Sequence, residues 1–130
     1  MASAGQFPGI WTDDNIFDEV LFRVRYATGT TVGGIWTTTG GNVYIAPSDK
    51  LVASYSSEDV RLSTYIGNDA GKVFVNKFYT SSRGGRVVDL KAIRIAEMYL
   101  IRAEAHAKKA TPDVAAGTAD LNELRRNRIT

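Results

Sequence analysis

The apolar pattern changes period along the chain. From Glu19 to Tyr26 the period is two, with Val20, Phe22, Val24 and Tyr26 on one side and Leu21, Arg23 and Arg25 on the other, which predicts a strand. Residues 27–42 are rich in Gly and Thr, and only Val32, Ile35 and Trp36 could anchor them; a stretch of this length without a period reads as a functional or disordered loop. Val43-Tyr44-Ile45 predicts a short strand ended by Pro47. Leu51, Val52 and Tyr55 have helical spacing within 48–55, and Glu58-Asp59-Val60-Arg61 opens a second helical turn. Gly67-Asn68-Asp69-Ala70-Gly71 predicts a turn, Val73 to Tyr79 a strand and Ser81 to Gly85 a loop.

Beyond residue 88 the period becomes helical. At 100° per residue Ile93, Ala96, Leu100, Ala103 and Ala107 share one arc that Leu90 and Ile101 extend, while Lys91, Arg102 and Lys109 lie opposite. Thr111 is a good N-cap and Pro112 suits a first helical position, so a second helix is expected to start there. Its Val114, Gly117, Leu121 and Leu124 share a face, and Gly117 would let the alanines of the first helix approach closely. A turn of a few residues makes the pair antiparallel. The expected fold is mainly α with irregular loops and short strands: one partial domain over 1–130, loop-rich over 1–87 and a helix pair over 88–130.

Composition removes some functions. The net charge of +2 hides an asymmetry, since residues 1–65 carry 4 basic and 7 acidic side chains and residues 66–130 carry 12 and 7. These bases alternate with acids along helical faces instead of forming a stripe with stacking aromatics, so nucleic acid is not an expected partner. The absence of cysteine excludes disulfides and thiolate metal sites. His106 stands alone as a surface histidine, and Asp13-Asp14 reads as a turn and capping pair; neither metal nor cofactor is expected.

Glu97 and Glu104 fall inside the apolar arc and are the only pair that suggests acid–base chemistry. Seven residues of helix separate their Cα atoms by about 10.5 Å, wider than the ~5–5.5 Å or ~6.5–9.5 Å of glycosidase carboxylates. They read instead as seam acids, paired with Arg94 or an arginine of the second helix. Trp36 in the Gly/Thr loop, Tyr44 near it and Trp11 after a Pro-Gly turn could each offer a flat apolar face to a sugar ring, although a tryptophan is more often a core or loop anchor.

The string Arg94-Ile95-Ala96-Glu97-Met98-Tyr99-Leu100-Ile101-Arg102-Ala103-Glu104-Ala105, followed by Leu121-Asn122-Glu123-Leu124-Arg125, resembles the SusD/RagB family. Asp59-Val60-Arg61 and Lys77-Phe78-Tyr79 resemble its middle region. The likeness is strong over about 88–128 and weaker but ordered over 16–80. It implies a largely helical protein with tetratricopeptide-like helix pairs, a surface lipoprotein of Bacteroidetes-type bacteria at the outer membrane. Such a protein captures oligosaccharide or polysaccharide without catalysis and passes it to a TonB-dependent outer-membrane transporter for nutrient uptake.

By the same resemblance Arg94, Glu97, Glu104, Asn122 and Arg125 are scaffold, and the sugar-contacting residues, which vary in the family, are left to the physical candidates Trp36, Trp11 and Tyr44. The family's lipid-bearing cysteine, its earlier helical repeats and its later acidic-arginine segment have no counterpart here, so the chain reads as a soluble internal fragment. Its bare helix face is expected to be buried in a homodimer or against the N-terminal half. The alternatives are a protein-interaction module without sugar binding and, further off, a glycoside hydrolase.

Overall fold

In chain order the elements are α1 (Gly9–Thr12), β1 (Val20–Val24), a 3-10 turn (Gly33–Ile35), α2 (Asp49–Ala53), α3 (Val60–Tyr65), β2 (Ile66–Asp69), β3 (Lys72–Val75), β4 (Leu90–Arg94), α4 (Ile95–Lys108) and α5 (Val114–Arg126). The structure is a computed structural model, and it describes residues 1–27, 32–36 and 42–130. The loop expected over 27–42 thus lies partly outside the described residues. Local chemistry explains the short helices. Ser48 accepts a hydrogen bond from the Leu51 N–H to start α2, and Asp59 accepts one from the Arg61 N–H to start α3.

Two antiparallel pairs of strands complete the fold, β1 with β4 and β2 with β3. The β2–β3 hairpin turns at Ala70 and Gly71, whose φ values of 49° and 84° give the left-handed turn that matches strand twist. In the other pair, Val20 faces Arg94, Phe22 faces Ile93 and Val24 faces Leu90, with irregularities on both sides of Phe22. Those irregularities break the expected alternation, so that Val20 is buried while Phe22 and Val24 are exposed. Leu90–Arg94 is therefore strand, not the first turns of a helix: β1 needs a ladder partner, and α4 begins only at Ile95. Val43-Tyr44-Ile45 forms no strand of its own; the Tyr44 N–H is given to the Trp36 carbonyl at 2.9 Å.

The hydrophobic core sits in the loop-rich part, not in the helix pair. Phe7, Ile10, Trp11, Val20, Phe78 and Val88 are buried together, with Ile16, Val32, Trp36, Val60, Tyr65, Val75 and Leu90 packed on them. Trp11 is its centre. Its ring meets those of Phe7, Tyr65 and Phe78 edge-on at centroid distances of 6.3, 5.3 and 5.9 Å.

A buried charge ties this core to the chain's last helix. Glu19 is fully buried, and its carboxylate receives the Arg128 guanidinium, Arg94 Nη1 at 3.1 Å and the Ala2 N–H at 3.2 Å. Arg128, itself 4% exposed, also donates to the Ala2 carbonyl at 3.0 Å and lies over the Phe7 ring. Arg128 lies two residues past the end of α5, and its side chain is directed inward.

In the helix pair, Ala96, Ala103, Gly117 and Asp120 are buried. A Cβ on Gly117 would stand 3.2 Å from the Ala103 carbonyl oxygen and 3.6 Å from His106 Cβ, so the close approach expected of Gly117 is real. The seam acid, however, is Asp120, paired with Arg102; Glu97 and Glu104 are exposed, and Glu104 pairs with Lys108 instead. With Ala96 and Ala103 fixed against α5, the residue that follows each is turned 100° away from the seam. The α5 cap is Asp113, whose side chain accepts the Ala116 N–H at 3.0 Å, and Thr111-Pro112 belongs to the turn before it.

Removing one partner of a buried pair leaves an uncompensated charge at a cost of about 3–5 kcal/mol. Glu19→Ala is expected to lower unfolding stability by that amount in a urea titration, whereas Glu104→Ala, at an exposed pair, should leave the urea midpoint essentially unchanged. Gly117→Val should force the helices apart and cost about 1–3 kcal/mol, read as a drop in melting temperature.

Candidate functional site

The segment that carries Trp36 and Tyr44 is held at its start and at its 3-10 turn by features the sequence did not advertise. At its start, the Tyr26 N–H is accepted by Asp89 Oδ1 at 3.2 Å and the Tyr26 carbonyl by Arg83 Nη1 at 2.9 Å. Arg83 and Asp89 belong to a buried ion cluster: Arg83 spans Asp14 and Asp89, Lys91 Nζ pairs with Asp14 at 2.5 Å, and Arg23 Nε lies 3.4 Å from Asp89. Asp13, in contrast, makes the expected turn, its carboxylate accepting the Asn15 N–H at 2.9 Å.

The middle of the segment is pressed onto the core at the 3-10 turn. A Cβ on Gly33 would lie 2.3 Å from the Phe78 carbonyl oxygen and 2.6 Å from Arg86 Cβ, a separation no side chain can occupy. That approach lays the Trp36 ring nearly parallel to Phe78, at 16° and 6.4 Å between centroids. The Trp36 Nε1–H is buried without an acceptor among the described residues. Trp36 is half-buried, and its carbonyl receives the Tyr44 N–H. Tyr44 is 66% exposed and Ile35 60% exposed, so an apolar, aromatic surface surrounds the anchor.

The three aromatic candidates are thus separated by their surroundings. Trp36 and Tyr44 are brought together by one backbone hydrogen bond. Trp11 is 4% exposed in the core and has no free face for a ligand. Lys77, noted from sequence only as part of the family resemblance, has its ammonium 5.3, 5.0 and 4.9 Å from the ring centres of Trp11, Tyr65 and Phe78. Burial, with Arg94 nearby, pushes its pKa below the ordinary lysine value. A lysine followed by two aromatics gave only a faint signal of such a cage.

The buried acids are all engaged. Among the described residues Asp14, Glu19, Asp59, Asp89 and Asp120 each pair with Arg or Lys. These ion pairs lie in the core and along the helix seam, and the described surface around Trp36 and Tyr44 is apolar and aromatic.

The family model of the SusD family matches residues 23–129. The chain belongs to the SusD family. A SusD superfamily protein from Bacteroides thetaiotaomicron superimposes over 100% of this chain with a TM-score of 0.74 at 23% identity, and 33% of that protein is covered. A candidate sugar-binding protein from Bacteroides vulgatus does so over 96% of this chain with a TM-score of 0.72 at 24% identity, covering 30% of its own length. At such identities the likeness establishes the SusD fold, mainly α with short antiparallel strands, and this chain spans about a third of the solved structures it matches. No curated protein sequence matches it. Among the described residues no helix is long and apolar enough to cross a membrane.

The ion cluster under the SusD-type loop gives a pH dependence. Burial alone would raise the Asp14 carboxyl, but the hydrogen bond and charge of Lys91, together with Arg83 and the Asp89 N–H, outweigh it and hold the group below the usual carboxylate value. A carboxyl depressed on folding stabilises the fold above its unfolded pKa of about 3.9 and loses that contribution as pH falls through the folded value. The stability gap between wild type and Asp14→Asn should be largest from neutral pH down to about 5 and shrink below about 4. Urea midpoints across that range check this, and a gap independent of pH would contradict it.

Proposed function

We propose that this chain is the glycan-contacting part of a SusD-type surface lipoprotein, a fragment of a protein that captures oligosaccharides without catalysis. In this reading the full-length parent is anchored at the outer membrane and hands its sugar to a TonB-dependent transporter for nutrient uptake. The observation that carries it is the exposed Tyr44 ring fastened through its N–H to Trp36, itself set on the core at Phe78. An aromatic face tied by a backbone hydrogen bond to a core-packed residue loses less entropy on meeting the C–H face of a sugar, and sugar hydroxyls need polar groups beside it. Each buried carboxylate is paired with an arginine or a lysine, which favours capture over hydrolysis.

The engagement of Trp36 with the core makes Tyr44 the cleaner probe. Against a panel of neutral and acidic oligosaccharides, isothermal titration should find at least one ligand whose affinity falls about tenfold, or about 1.4 kcal/mol, on Tyr44→Ala. Trp36→Ala should abolish binding and also lower stability. Affinity unchanged by either substitution, or no ligand in the panel, would favour a protein-interaction module; hydrolysis of a ligand would point to an enzyme.

A further inference from the structure

A small cavity of about 120 Å³ opens between the end of α1, the last turn of α3 and the segment that follows β3. It is the space of about four water molecules. No acid lines it, and its one charged group is Lys77. Other cations drawn into the interior are each met by a carboxylate: Lys91 by Asp14, Arg83 by Asp14 and Asp89, Arg128 by Glu19. Lys77 is half-buried and has neither a carboxylate nor a hydrogen-bond acceptor among the described residues. Burial pushes both lysines below the ordinary value, and Asp14 opposes that for Lys91; no carboxylate among the described residues does so for Lys77. The rings of Trp11, Tyr65 and Phe78 answer part of its charge, but an ammonium also carries three N–H donors that call for acceptors.

The rest of the lining divides by what it can offer. Asn76 uses Nδ2 on the Thr64 carbonyl at 3.4 Å, which leaves it a second proton, and the exposed Thr80 hydroxyl has no partner among the described residues. Together with Lys77 these are donors. Thr64 gives its hydroxyl proton to the Val60 carbonyl at 2.7 Å, while Thr12 and Ser63 direct theirs to main-chain carbonyls at 3.4 Å. Their oxygens keep lone pairs and are acceptors.

The geometry points to a binding site for the carboxylate end of a small hydroxy acid, the class that includes sugar acids. The carboxylate takes the place of the missing acceptor at Lys77, flanked by Asn76 and Thr80, and a hydroxyl on the neighbouring carbon donates to the threonine and serine oxygens. A cavity of this size holds that much of a ligand and leaves the remainder in solvent. The site is separate from Trp36 and Tyr44, neither of which lines it.

Gluconate and sorbitol have carbon chains of equal length and differ in the carboxylate, so the pair isolates the charge. Titrated into the whole chain at neutral pH and followed by NMR chemical shifts, gluconate should bind at least about tenfold tighter than sorbitol, and tighter than acetate. The Lys77 ε-methylene should titrate at higher pH with gluconate present than without it, because a bound carboxylate favours the charged amine. Lys77→Met, which keeps the apolar stem, should remove the preference for gluconate. Thr80→Glu should do the same from an exposed position by placing a carboxylate of the chain's own at the cavity, and it decides the matter if Lys77→Met does not fold. Lys50→Glu, at an exposed lysine of α2, and Tyr44→Ala should leave the preference unchanged. No binding of gluconate, acetate binding as tightly, a preference that survives Thr80→Glu or a folded Lys77→Met, or one lost in Lys50→Glu or Tyr44→Ala would overturn the inference.

Discussion

The buried carboxylate of Glu19 is the constraint from which the arrangement follows. An ion this deep costs several kcal/mol unless its lone pairs are met, and here they are met from three distant parts of the chain: Ala2, Arg94 at the junction of β4 and α4, and Arg128 after α5. Apolar packing alone would not fix how the helix pair sits on the loop-rich part, since the pair contributes only alanine, glycine and Asp120 to its own buried seam. Direction comes from charge. Arg94 and Arg128 also spread over the rings of Phe7 and Trp11, so the same groups that neutralise Glu19 cover the edge of the aromatic core.

The molecule separates rigidity from contact. Trp11, Phe78 and Tyr65 form the closely packed aromatic centre, with Lys77 caged among their rings. One layer out, Trp36 rests on Phe78 because Gly33 lets the backbone come close, and one layer further Tyr44 stands exposed. Each layer is ordered by the one beneath it, which is how a loop with little regular structure can present a defined surface.

Elements with a clear local cause were legible in the sequence. The helical turns within 48–55 and from Glu58, the Gly67–Gly71 reversal and the small-residue seam at Ala103 and Gly117 depend on neighbours a few residues away, and each is found close to its expected place. Long-range terms decided the rest. Leu90–Arg94 carries helical spacing but becomes strand because β1 supplies a ladder; Glu97 and Glu104 lie on the apolar arc but point outward once Ala96 and Ala103 define the contact. The pairing of Glu19 with Arg128, across 109 positions, leaves no periodic trace at all. For the candidate site, the pairing of Trp36 with Tyr44 was visible as proximity in sequence. The burial of Trp11 was not, since a tryptophan after a turn signal looks the same whether its helix folds inward or stands free.

The contact between Ala2 and Arg128 brings residues near the two ends of the described chain within a hydrogen bond of each other. A polypeptide that enters such a unit and leaves it at nearly the same point can be lengthened on either side without threading through the core. Here the hydrogen bond from Arg128 to Ala2 couples the segment before α1 to the residues after α5, so a displacement of the helix pair is transmitted to the aromatic core through Ala2 and Glu19.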